Sequence, residues 1–149
     1  MTIFSQSRRL AALSRHQCWW VVVAWCQLWF TQIRLRVDRT DWLSDLLQRP
    51  TPSHNSKSDQ ALATALHESV RLAARLHPLK PACLPKSIVL LGLLRRRGIQ
   101  AALCLGVNKS EGSSTRALHS HAWVEIFDGP VCERSTVRED FQLVNTRLR

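Results

Sequence analysis

The 149-residue chain carries neither a cysteine–histidine box at metal-ligand spacing nor a glycine-rich phosphate loop, so zinc modules and nucleotide-driven enzymes are not expected. It has no Cys-x-x-Cys pair, and its five cysteines are an odd number without regular spacing. A disulfide framework is therefore not expected, and a reducing, cytoplasmic setting fits better. Long hydrophobic runs are missing too. The Trp-rich run Cys18–Phe30 (CWWVVVAWCQLWF) is about 13 residues, short of the roughly 18 needed to span a bilayer. Ser7-Arg8-Arg9 opens like a twin-arginine export signal, but Arg15 and His16 interrupt the apolar region and no small-residue cleavage site follows. Acidic residues are scarce: 11 against 21 Lys and Arg, giving a net charge of +10. The basic residues are nonetheless dispersed, apart from Arg95-Arg96-Arg97, and form no stripe with interleaved aromatics, so a nucleic-acid partner is not expected. Internal repeats and low-complexity segments are also lacking.

What is present is a hydrophobic content of 45%, which argues against general disorder and for one domain with a modest core. Residues up to about Gln48 have helical patterning, with Thr40 as N-cap of a short helix over Asp41–Leu47. Arg49–Ser58 (RPTPSHNSKS) is a polar, proline-containing linker. The chain accordingly divides into an N-terminal helical, Trp-rich segment with its linker (1–57) and a core (58–149). Trp19, Trp20, Trp25 and Trp29 cannot share one helical face, so some aromatic surface is expected to stay open, for a partner protein or a membrane surface.

Leu62, Leu66, Val70, Ala73 and Leu76 predict an amphipathic helix from about Asp59 to His77, ended by Pro78 and Pro81. The next helix opens at Cys83. Pro85 is tolerated in its first turn, where an amide has no intrahelical partner. Ile88 to Leu91, Leu93 and Leu94 leave no polar face, so this helix should be buried nearly all round. Gly92 suggests a close approach of neighbouring backbone, and Gly98 is placed as the C′ residue. The arginine triplet sits where cations complement the helix macrodipole. Strands are predicted at Ile99–Val107, Ser120–Phe127 and Pro130–Glu133, the last two joined by an Asp128-Gly129 turn. Phe141, Leu143 and Val144 are candidate anchors in a polar tail.

Chemistry singles out two residues. Cys83 is the one cysteine placed at a helix N-terminus, where partial positive charge and unpaired amides favour a thiolate and can hold an oxyanion. Cys18 and Cys26 fall in the apolar N-terminal helix, Cys104 within a strand and Cys132 just past a turn. His121 opens the strand segment HAWVE and is the candidate base that takes the thiol proton and returns it to a leaving amine. On a strand, His121, Trp123 and Glu125 share one face, while Ala122, Val124 and Ile126 share the other. The first face is expected to meet the cysteine helix. His119 is a rival base, and a zinc site from His119 and His121 lacks further ligands at usual spacing. A helix-borne thiol with a strand-borne imidazole is the layout of papain-like and transglutaminase-like active sites.

CLPKSIVLLGLLRRRGIQAALCLGV (Cys83–Val107) followed by HAWVE (His121–Glu125) resembles the transglutaminase-like leader peptidases of lasso-peptide biosynthesis, over about Ala61–Glu133. The resemblance implies an α+β, transglutaminase-like fold: a central nucleophile helix packed on a small antiparallel sheet, preceded by N-terminal helices. It implies a cysteine peptidase that needs no cofactor and frees the N-terminus of a precursor peptide's core. The short chain is similar to the stand-alone protease half of a split B protein, whose partners are a leader-recognition protein and an ATP-dependent lasso cyclase. No winged-helix-like segment precedes residue 58 to supply that recognition here. The family places an acid, usually Asp, about a dozen residues after the histidine, and Glu133 occupies that position. A two-residue Asp128-Gly129 turn would pair Val124 with Glu133, on the wrong face. A three-residue loop with Pro130 outside the ladder would pair Glu125 with Glu133 and restore the histidine's face, which the missing proline amide favours. Asp128 is taken as the turn former. Two other readings stay open: acyl transfer on the same fold, and a catalytically idle scaffold of a peptide-maturation complex.

Overall fold

An amphipathic helix and a helix apolar all round both need covering, and the Trp-rich N-terminal segment supplies part of the cover. The structure, a computed structural model, describes residues 15–37, 42, 57–108, 119–126, 129–132, 137 and 141–143. Three helices lead: α1 (Arg15–Val37), α2 (Lys57–Leu76) and α3 (Cys83–Arg96). Each packs against the other two. Their shared core takes Ala24 and Leu28 from α1, Ala63, Leu66, Val70 and Ala73 from α2, and Ile88 to Leu91 with Leu93 and Leu94 from α3. Removing each leucine from water contributes about 1.5–3 kcal/mol, which is why α3 needs neighbours around most of its circumference.

Helix α3 ends as its sequence requires. Gly98 takes φ 76°, its amide donates to the Arg95 carbonyl at 3.0 Å, and the Ile99 amide donates to the Leu94 carbonyl at 3.1 Å. This is the Schellman arrangement, with Ile99 and Leu94 both buried beside it. Arg97 lays its guanidinium over the Trp20 ring at 4.5 Å and so ties the end of α3 to α1. Gly92 departs from expectation. No neighbouring atom lies within 4 Å of where a Cβ would stand, so close packing does not explain the glycine.

Four strands follow: β1 (Ala102–Asn108), β2 (His119–Ile126), β3 (Gly129–Pro130) and β4 (Gln142–Leu143). They form an antiparallel sheet in the order β3-β2-β1-β4. The fold is thus α+β, helices on one face of a small sheet. Strand β1 begins at Ala102 rather than Ile99, because Ile99 is spent on the helix cap. Neither register expected for the β2–β3 hairpin occurs. Gly129 pairs with Ile126 and Pro130 with Glu125, so the proline lies inside the ladder and Gly129 is a ladder residue. The Val131 amide donates to the Val124 carbonyl at 2.9 Å, which makes Val124–Val131 a hydrogen-bonded pair. Glu125–Pro130 is then the intervening pair, which asks no amide of the proline. The short helix expected over Asp41–Leu47 lies outside the described residues except for Trp42, which packs on the core. Asp128, Glu133, Val144 and the linker up to residue 56 also lie outside them.

Candidate active site

Period-two alternation along β2 divides its side chains between two environments. Val124 and Ile126 join the helical core with Leu103 and Val131, and Ala122 is buried on the same face. Trp123 joins a second cluster with Cys104, Val137 and Phe141. The expectation that the His121 face meets the cysteine helix is therefore corrected: the more apolar Ala122–Val124–Ile126 side is the one the helices cover. His121 still lines a cleft together with the cysteine. A cleft of about 300 Å³ opens where the start of α3 meets β2, and Cys83, His121, Lys86, Ser87, Trp123 and Cys132 are among its lining residues, with His67 and Arg71 from α2.

Cys83 is the first residue of α3, half-buried, and in no disulfide. Ala82 is the N-cap and makes no side-chain hydrogen bond to the helix start. Pro85 has no amide and the Lys86 amide closes the first helical turn onto the Ala82 carbonyl, so the unclaimed donors at the helix start come from Ala82, Cys83 and Leu84. The approach to Cys83 is held firmly. His77, buried, accepts the Leu79 amide at Nδ1 (3.3 Å) and is flanked by the rings of Trp29 at 4.8 Å and Trp25 at 5.6 Å. Burial holds the His77 imidazole below its ordinary pKa. Lys80 then takes φ 41°, a conformation costly for a side-chain-bearing residue, just before the buried Pro81.

His121 is oriented by aromatic rings. Its imidazole stacks on Trp123, with centroids 5.9 Å apart and planes 18° apart, and meets Phe141 at 5.3 Å. Trp123 is fixed in turn: its Nε1 donates to the buried Glu125 carboxylate at 3.0 Å. Gly106, paired with His121 across the ladder, makes the room. A Cβ there would stand 2.7 Å from the Phe141 Cβ and 3.0 Å from the Trp123 ring. The residues sharing His121's face thus act as its cradle. Glu125 acts through Trp123.

Ser87 joins the two halves of the site. Its Oγ donates to the Ala122 carbonyl at 2.8 Å, in a buried position. Ser87 stands four residues after Cys83 on α3, and Ala122 adjoins His121, so one hydrogen bond sets the helix start against the histidine's strand. Sequence reasoning missed Ser87, although a lone hydroxyl in an apolar helix, one turn past the cysteine, was a usable signal. It also missed Arg71, Lys86 and the cleft position of Cys132, whose φ of 54° turns the chain out of the ladder. His119 heads β2 opposite Asn108. Cys18 and Cys26 are exposed on α1, and Cys104 is fully buried. Among the described residues, no group of three or more His, Cys, Asp or Glu is arranged to hold a metal ion.

Comparison with known families places most of the chain in one of them. The model of the transglutaminase-like superfamily covers residues 27–146, most of the chain. No curated protein and no solved structure matches.

Proposed function

We propose, since this chain belongs to the transglutaminase-like superfamily, that it is a cysteine peptidase which removes the leader from a lasso-peptide precursor. The superfamily includes cysteine peptidases and acyl transferases. One observation carries the assignment of roles: a thiol at the uncapped start of α3 and an imidazole on β2 line one cleft. The Cys83 thiolate attacks the carbonyl carbon joining leader to core, its proton having passed to His121. The oxyanion that develops is held by amides at the start of α3, drawn from Cys83 and Leu84. As the carbon–nitrogen bond breaks, His121 returns the proton to the departing core amine. Water, deprotonated by His121, then hydrolyses the leader thioester and restores the thiol. In this reading Glu133 orients His121, a leader-recognition protein delivers the substrate, and an ATP-dependent cyclase joins the freed amine to an acidic side chain of the core.

The test is incubation of the full chain with the neighbouring precursor peptide, with and without the recognition protein, followed by mass analysis. The expected products are free leader acid and free core, both lost in Cys83→Ala. A leader mass raised by an added amine would identify acyl transfer instead. Unchanged maturation by Cys83→Ala would leave only a scaffolding role.

A further inference from the structure

Helix α1 is apolar on two opposite faces. Val21, Ala24, Leu28 and Thr31 are buried against the other helices. On the far side, Trp19, Val22, Cys26, Phe30, Ile33 and Val37 succeed one another at spacings of three and four, and all are exposed. Trp19 is 63% exposed, Phe30 59% and Val37 82%. At about 1.5 Å per residue, this stripe runs most of the helix's length. Its charge is one-sided. The 23 residues of α1 contain no Asp or Glu, while Arg15 lies at its start and Arg34 and Arg36 flank the stripe near its end. The Arg34 guanidinium lies over the Phe30 ring at 5.0 Å and the Trp42 ring at 5.6 Å.

We infer that α1 is an in-plane anchor that lays this stripe on an anionic bilayer surface. Two features favour lipid over a protein partner, and a third sets the helix in the plane of the surface. Tryptophan and phenylalanine with flanking arginines is the composition of an interfacial helix. Charge of one sign only, from Arg15 at one end of α1 and Arg34 and Arg36 at the other, on a chain of net charge +10, matches a surface of one negative sign rather than the mixed rim of a protein. No described helix is long and apolar enough to cross a membrane, so α1 would lie along it. None of the residues lining the Cys83 cleft comes from α1, so the anchor stands or falls independently of the peptidase reading.

The experiment is co-sedimentation of the full chain with vesicles of 30% phosphatidylglycerol in phosphatidylcholine, against pure phosphatidylcholine, at low and high salt. Binding to the anionic vesicles should exceed binding to the neutral ones at least tenfold and weaken with salt. Trp19→Ser with Phe30→Ser should lower it at least tenfold, with turnover of peptide free in solution unchanged. If that pair disturbs folding, Arg34→Gln with Arg36→Gln probes the charged rim and should remove most of the preference for anionic vesicles. No binding to anionic vesicles, or equal binding to both compositions, overturns the proposal. So does a stable dimer of the wild type that Trp19→Ser with Phe30→Ser converts to monomer, since a second copy would then be the occupant. Stoichiometric capture of the stripe by the purified recognition protein, without vesicle binding, overturns it equally.

Discussion

The two faces of β2 share a backbone and little else. Ala122, Val124 and Ile126 turn toward the helices and join the core that holds α3 in place. His121, Trp123 and Glu125 turn the other way, into rings and a buried carboxylate that fix one imidazole at the cleft. Both sets are largely buried, so burial alone does not separate structural from chemical residues. What separates them is the neighbour: aliphatic side chains on one face, aromatic rings with oriented polar atoms on the other. Substitutions on the first face should lower stability and leave the chemistry of the folded protein intact. Substitutions on the second should do the reverse.

The largest effect belongs to the chemical face. His121→Ala should lower turnover roughly 100- to 10,000-fold, the range for a lost general acid–base, with a nearly unchanged melting temperature. His119→Ala should leave turnover close to wild type. The reversed pattern would move the base two residues up the strand.

Gly106→Ala should come next, because it disturbs the cradle without touching the histidine. The added Cβ forces Phe141 and Trp123 aside, and a shift approaching 1 Å at the imidazole costs up to about 100-fold in rate. The fall should appear in kcat more than in KM. A loss in melting temperature without a loss in kcat would show that the rings pack but do not position.

Ile126→Ala tests the structural face. It should cost about 2–5 kcal/mol in denaturant unfolding while the surviving folded fraction keeps its turnover. A matching loss of kcat in folded protein would mean that the two faces are not separable.

How much of this division was legible in the sequence follows from which physical signals are local. The α3 helix, its glycine cap and the split of β2 into two faces rest on periodicity and on residues within one turn, and the sequence showed all of them. Which face the helices would cover depended on what α3 could pack against, and the reading from His121 alone put it on the wrong side. The hairpin register failed for a similar reason. A proline without an amide suits a non-hydrogen-bonded ladder position as well as a place outside the ladder, and only the Val131–Val124 bond distinguishes them. Ser87 stands out in the sequence as a lone hydroxyl but its partner lies 35 residues away, and Gly106 was invisible because its meaning lies in a partner 15 residues away. The Trp-rich helix is, as its spacing requires, too varied for one face, whereas the packing of His77 against both Trp25 and Trp29 has no local signal.

That histidine gives the smallest predicted effect and a control lying on neither face of β2. The folded protein resists protonating His77 and the unfolded chain does not, so the unfolded state binds more protons just below the ordinary value of 6.5. Stability is full above that pH and is lost as pH falls from it toward the lowered folded value. The melting temperature of wild type should therefore drop more steeply between pH 7.5 and 5.5 than that of His77→Phe. Parallel slopes would show that His77 protonates as readily in the fold as out of it.

The central claim is that Cys83 and His121 work as nucleophile and base, and competitive alkylation of the folded chain tests it most directly. Cys18, Cys26 and Cys132 are exposed, while Cys83 is half-buried and Cys104 is fully enclosed. Accessibility alone would label Cys18, Cys26 and Cys132 first. With limiting iodoacetamide near neutral pH, site-resolved mass analysis should instead find Cys83 labelled fastest, and His121→Ala should slow that one site while leaving the others unchanged. Labelling of Cys83 no faster than Cys26, or indifferent to His121→Ala, would contradict the account.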